Sequence, residues 1–384
     1  MLFQMCAEAR SRGDDDRTKQ VHLDDLVNAD RTAHLRHNFG DLPTFSEWLA
    51  AVLRTTHTTY MGVQSAKADP YDVTIRALTS SDLPEAHGIF RLAFGTFVGL
   101  PDPLAFGGDT DYVRTRFSAD PSAAFGAFLG TDLVGSNFAT NWGSVGFFGP
   151  LTVRPDLWDR GVGKRLMEPI MACFERWATT HAGLFTFPHS QKHIGLYQRF
   201  GFWPRFLTPV MSKAVAPAES SPVPWTKLSD LPAPERQRAL KDCVTLTDAI
   251  YPGLDVSMDI RSVATQRLGD VVVLHRDSRL SGFAVCHCGL GTEAGSGTCY
   301  VKFGAVRPSH TAADDFDRLL TACEAFTVEQ GASRLAAGVN TARHEAYSRL
   351  LARGFRTDMQ GVAMHRPNQE GYNRPGVFVM DDWR

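Results

Sequence analysis

The residues best equipped for chemistry lie between Phe147 and Leu166. An apolar run ends at Val153-Arg154-Pro155, a short polar loop follows, and Arg160-Gly161-Val162-Gly163-Lys164 opens a stretch with helical period. A strand end, a glycine-bearing turn and a helix N-terminus make a cradle for a diphosphate. Glycines let the backbone approach closely, the unpaired amides of the first helical turn point at the anion, and the helix dipole favours its charge. The backbone N–H groups of Asp159, Arg160, Gly161, Val162, Gly163 and Lys164 would do the binding, with a side-chain contact available from Arg160, Lys164 or Arg165. Small residues at a helix start also serve plain strand–helix packing, so the spacing alone leaves both readings open.

A second group follows at Leu196-Tyr197-Gln198-Arg199-Phe200-Gly201-Phe202. The first segment resembles motif A of the GNAT superfamily of N-acetyltransferases, Gln/Arg-x-x-Gly-x-Gly/Ala after a Val-x-Pro-like strand end. The second is similar to the Leu-Tyr-x-x-x-Gly-Phe signature of that superfamily's fourth helix and sixth strand. Gly161 and Gly163 match, whereas Trp158 stands where Gln or Arg is usual and Ser190 where Asn is usual, so hydrogen bonding differs at both places. The resemblance covers about Val73 to Lys213. It implies acetyl-CoA as acyl donor and a primary amine as acceptor. It also implies that pantetheine pairs with a splayed strand at Leu151 to Val153, where a backbone N–H would face the oxyanion. Tyr197 would protonate the departing thiolate; packing against the sheet is its alternative.

An amine attacks a thioester only when unprotonated, and histidine has the ordinary pKa closest to the working pH. His189 is the first candidate base; its other reading is a cap on the helix beginning near Gln191, and His193 fits either role. For the acceptor pocket, Phe94, Phe97 and Phe106 offer an apolar wall and Asp102, Asp109 and Asp111 could attract a cation, against ordinary loop and core roles.

The elements that must position these residues are legible as changes of period. Val73 to Leu78 alternates like a strand, and Asp82 with Glu85 resembles a capping box opening a helix to about Phe97. A helix near Asp111 to Phe117 precedes three strand-like runs, 123–129, 132–140 and 145–153, expected to form an antiparallel meander. A helix from about Gly163 to Thr180 follows, with Leu166, Ile170, Cys173, Phe174 and Trp177 on its buried stripe. A strand at Leu184 to Phe187, a helix from Gln191 to Phe200 and a strand from Trp203 to Met211 complete the unit.

Residues 214–224, rich in Ala, Pro and Ser, read as a linker. Beyond it, Ser229-Asp230-Leu231-Pro232 echoes Ser81-Asp82-Leu83-Pro84, Val306-Arg307-Pro308 echoes Val153-Arg154-Pro155, and Gly354-Phe355 echoes Gly201-Phe202, each about 150 residues apart. Three echoes in one order indicate internal duplication. The expected fold is α/β (α+β): an extension at 1–72 with one amphipathic helix about Phe45 to Met61, then two tandem domains at 73–213 and 225–384. Each would be a mixed, mostly antiparallel sheet flanked by helices. Aligned on Val306-Arg307-Pro308, the later copy has Asp314 and Phe316 where the first has Gly161 and Gly163, and Leu350 where the first has Tyr197. Carboxylates beside a diphosphate are unfavourable, so coenzyme is expected in the first copy alone.

Composition bounds the rest. A chain of 384 residues, 43% hydrophobic, holds enough apolar material for two cores. A net charge of −2 offers no field for nucleic acid or an anionic membrane. No apolar run has the length of a membrane span, and the first ten residues lack a secretory core, so a cytoplasmic location is expected. Among the seven cysteines, Cys286-His287-Cys288 fits strand alternation better than paired ligand spacing, and no metal is expected. A small-molecule acetyltransferase is favoured over a protein-lysine acetyltransferase or an acyl-CoA-binding regulator. The acceptor, the acyl length and a possible homodimer stay open.

Overall fold

A computed structural model describes residues 73–216 and 223–384; the expected helix at 45–61 lies outside the described residues. The chain opens with β1 (Val73–Ala77), and Ser80–Asp82 form a single 3-10 turn before α1 (Leu83–Val98). The cap differs from the expected Asp82/Glu85 pair. Asp82 accepts the Thr79 N–H at 2.8 Å and pairs with Arg76, so the box is one turn earlier. Ala86, Ile89, Phe90 and Ala93 fall on one face of α1 at helical spacing and are buried there. Next come α2 (Tyr112–Ala119), capped by the Asp111 carboxylate on Arg114 N–H, then β2 (Ala124–Leu129) and β3 (Asp132–Trp142).

The single strand expected at 145–153 is two strands, β4 (Val145–Phe148) and β5 (Thr152–Val153), interrupted at Gly149-Pro150. Proline removes a ladder donor and Gly149 has φ 138°, so the backbone turns aside here. Then follow α3 (Val162–Arg176), β6 (His181–Thr186), α4 (Gln191–Gln198) and β7 (Trp203–Ala214). On α3, Leu166, Met167, Ile170, Cys173 and Phe174 are buried, a stripe worth on the order of 10 kcal/mol of gross transfer free energy before entropy is subtracted.

The second half repeats the order: β8 (Thr226–Lys227), α5 (Ala233–Ile250), α6 (Ser257–Gln266), β9 (Gly269–Arg276), β10 (Arg279–Gly289), β11 (Gly295–Val306), α7 (Ala312–Glu329), β12 (Arg334–Gly338), α8 (His344–Ala352), β13 (Arg356–Arg366) and β14 (Val379–Met380). Cys286 and Cys288 on β10 pack toward α7 while His287 between them faces the other side of the sheet, as strand alternation requires.

The strands join in one continuous sheet, in the order β1-β2-β3-β4-β6-β13-β7-β12-β11-β10-β9-β8, with β5 on β3 and β14 on β11. Two pairs, β4 with β6 and β11 with β12, are parallel; the others are antiparallel. The order reads as a palindrome about β13 and β7. Each half gives its last long strand to the other, β13 pairing with β6 through Val362↔Thr186 and β7 with β12 through Met211↔Ala337. The echoed sequence pairs occupy matching places. Gly201 and Gly354, with φ 82° and 90°, each end the helix before an exchanged strand, and Val153 and Val306 each end the strand before a long helix.

Candidate active site

Parallel pairing of β4 with β6 stops at Phe148↔Leu184; beyond it the chain stays on β3 as β5, while β6 runs on to Thr186 without it. The sheet opens there, and helices α1, α3 and α4 surround the opening as a cleft of about 790 Å³. Leu151, Val153, Asp159, Gly161, Val162, Gly163 and Lys164 line it, together with Phe94, Phe97, Trp158, Lys192, His193, Leu196 and Arg199.

The floor of the cleft is a helix start that no side chain caps. Gly161 is the N-cap of α3 at φ 81°, a conformation that disfavours side chains. The first amides bonded inside the helix begin at Arg165, whose N–H reaches Gly161 O at 3.2 Å. The N–H groups of Val162, Gly163 and Lys164 therefore point out of the helix end, as its geometry dictates. At Gly163 a Cβ would stand 3.5 Å from Leu196 and 3.6 Å from Leu151, taking up cleft space. Lys164, Lys192 and Arg199 face the cleft against one carboxylate, Asp159, and Lys192 pairs with that carboxylate at 2.8 Å. Arg160 is exposed and does not line the cleft.

Trp158, the departure from the expected Gln or Arg, has a use of its own. Its indole N–H donates to Val153 O at 2.8 Å, pinning the loop to the strand end, and Lys192 lies over its ring at 5.4 Å. Ser190 caps α4 through His193 N–H at 3.3 Å, so the cap considered for His189 belongs to Ser190.

The two histidines separate. His189 is exposed, stacks on Phe97 at 5.8 Å and does not line the cleft. His193, in the first turn of α4, lines it and lies 4.8 Å from the Phe97 ring. Burial, with the charges of Lys192 and His189, lowers the pKa of His193, which favours the neutral imidazole. Tyr197 is buried in the core beside the cleft, its ring edge-on to Phe148 at 5.6 Å. Burial raises its pKa well above the usual tyrosine range, keeping it protonated while making it a weaker acid.

The acidic residues expected near the acceptor are engaged elsewhere. Asp102 accepts from Leu104 N–H, Asp111 caps α2, and Asp109 bonds the Ser296 N–H at 2.9 Å. Their short side chains serve turns and caps. Phe94, Phe97 and Phe106 do form an aromatic wall, which Phe187 extends.

In the second half the helix start has another register than the aligned sequence suggests. The link from β11 to α7 is shorter than its counterpart, so Thr311 holds the N-cap place of Gly161, and Asp314 and Asp315 fall in the first turn. Asp315 is buried and accepts from Arg276 at 2.9 Å, Arg318 at 3.0 Å and Thr311 at 2.8 Å, while Asp314 pairs with Arg276. Leu350 is fully buried at the place corresponding to Tyr197.

Residues 92–202 match the family model described as the acetyltransferase (GNAT) family. Among solved structures, the chain is similar to a Pyrococcus horikoshii protein provisionally described as an acetyltransferase: 14% identity, TM-score 0.57, covering 81% of this chain and 95% of that one. It is also similar to a GCN5-related N-acetyltransferase from Sphaerobacter thermophilus: 15% identity, TM-score 0.53, covering 77% and 95%. Both likenesses concern the fold. No curated protein sequence matches the chain. Among the described residues, no helix is long and apolar enough to cross a membrane.

Proposed function

We propose, from the match of residues 92–202 to the acetyltransferase (GNAT) family model, that the protein transfers an acetyl group from acetyl-CoA to the primary amine of a small molecule. The observation that carries the reading is the uncapped start of α3, with outward amides and nearby cations in a cleft walled by Leu151 to Val153. A diphosphate fits such a helix end through backbone donors and the dipole together. The opening between β4 and β6 gives an extended arm a strand edge to run along.

In the reaction the amine lone pair attacks the thioester carbonyl, the oxyanion meets a backbone N–H near Leu151 to Val153, and the C–S bond breaks as the thiolate gains a proton. His193 is the base this reading favours over His189, because it faces the cleft and its lowered pKa keeps it neutral. Tyr197, beside Phe148 where the sheet opens, is the proposed acid. The aromatic side chains of Phe94 and Phe97 on the cleft wall support a small acceptor over a peptide, since apolar, ring-lined pockets suit small ligands. The tandem organisation, with a first domain at 73–213 and a second at 225–384, belongs to the same proposal, and the palindromic strand order supports it.

The test is incubation with acetyl-CoA and a panel of small amines, polyamines, aminoglycosides and peptides, followed by mass spectrometry. Acetylation of a small amine is expected. Acetylation of peptides alone would move the acceptor assignment to protein lysines, and coenzyme binding without any product would leave a regulator.

A further inference from the structure

Beyond Phe148 the backbone of β4 has lost β6, and a side chain takes over as its partner. Arg116 of α2 donates from Nη1 to Gly149 O at 2.5 Å, while its Nε and Nη2 face the Glu293 carboxylate at 3.1 and 3.5 Å. Nη2 also donates to the carbonyl of Arg384. Glu293, in the β10–β11 turn, accepts from Lys302 Nζ at 2.8 Å on each oxygen. Arg116, Glu293 and Lys302 are 6%, 2% and 6% exposed. Arg116 and Gly149 belong to the first half; Glu293 and Lys302 come from the second.

A buried ion triad adds little net stability over a well-packed apolar equivalent, so folding alone is a weak reason for it. Its geometry is more specific. The planar guanidinium fork meets the carboxylate on one side and the Gly149 carbonyl on the other, so the angle between them is fixed. Burial would raise the Glu293 pKa, but the charges of Arg116 and Lys302 outweigh it and hold the carboxylate ionised. Two residues past Gly149 the chain reaches Leu151, Thr152 and Val153, the wall of the cleft.

We infer that Glu293 and Lys302 are positioning residues for acyl transfer: acting through Arg116, they fix Gly149 and with it the strand segment Leu151 to Val153. The second half thus shapes the coenzyme cleft without touching coenzyme. This rests on the acetyl-CoA reading of the cleft.

Arg116→Lys tests it. A lysine keeps a cation opposite Glu293 but has no fork to span Glu293 and Gly149 together. Acetyl-CoA affinity, kcat and KM for both substrates, and melting temperature are measured on the full chain. The variant is expected to melt within a few degrees of the parent and to lose about tenfold in kcat/KM for acetyl-CoA, the scale of a small misplacement at the reacting centre. A folded variant with unchanged constants overturns the inference, as does a lowered melting temperature with unchanged constants per folded molecule. Should Arg116→Lys fail to fold, Lys302→Met loosens Glu293 while keeping the Arg116 pair. Reduced kcat/KM at a similar melting temperature then supports positioning, and unchanged constants refute it. A parent protein that binds no acetyl-CoA overturns the cleft assignment and the inference together; a parent that binds, with unaffected variants, overturns positioning alone.

Discussion

The starts of α3 and α7 face one backbone problem, unpaired amides at a helix N-terminus, and meet it in opposite ways. At α3 a glycine N-cap leaves the end open toward a cleft with Lys164, Lys192 and Arg199. At α7 the first turn carries Asp314 and Asp315, and Arg276 and Arg318 hold them in place. One helix end is left open toward the cleft, and the other has its anions in the chain. An open helix end and a sealed one can thus occupy matching positions of one sheet and differ by a few residues.

The largest effect should come from making the first resemble the second. Gly161→Asp places a carboxylate and a strained Cβ at φ 81°, and acetyl-CoA binding should be abolished in calorimetry. Unchanged affinity would remove the cradle assignment. Tyr197→Phe should lower kcat about a hundred-fold, roughly 3 kcal/mol in the barrier, with little change in coenzyme affinity. Full activity with a lower melting temperature would make Tyr197 a packing residue, as Leu350 is in the other half. Asp315→Ala should cost about 2–4 kcal/mol of stability in urea titrations, because Arg276 and Arg318 lose a buried partner. Acetyl-CoA affinity should stay the same, and a large change would show that the second helix start takes part in binding.

The seam between the halves should respond to acid. His181 on β6 and His365 on β13 lie 3.2 Å apart. Burial, then the charge of Arg205, lowers the His181 pKa to about 4; burial, then the charge of His181, lowers His365 to about 3. The unfolded chain therefore binds more protons between these values and the ordinary histidine pKa of about 6.5. Stability from the pair is complete above that pKa and declines as pH falls through the window. The urea midpoint should drop between pH 7.5 and 5, less steeply in His365→Gln; identical slopes would exclude the pair. The smallest expected effect is from removing residues 1–65, which should leave acetyl-CoA affinity within about a few-fold because no motif lies there.

Much of this was legible in the residues. Gly161 announces a backbone requirement, a φ of 81°, and such a requirement restricts residue type directly. The stripe on α3 and the alternation on β10 are periods, which local sequence states. Other features depend on what lies across space. His189 precedes the Ser190 cap and His193 lies in the first turn of α4, and only the packing of that helix decides which one faces the cleft. Asp102, Asp109 and Asp111 looked available because a carboxylate's turn or cap partner is invisible in composition. The role of Trp158 needed the position of Val153 O. Strand partners were least legible of all: alternation says which face of β7 and β13 is buried, never which neighbour lies alongside.

The exchange of β7 and β13 bears on how the molecule comes apart. Pairs such as Thr186↔Val362 join positions far apart in sequence, so neither half can finish its sheet until the other has been made. Cutting within the linker would not yield two independent proteins. Each fragment would expose a bare strand edge, β6 on one side and β12 on the other, and such edges invite pairing with other chains. Heat or denaturant should therefore melt residues 73–384 in one cooperative step, and recovery of either half should require the other as its template.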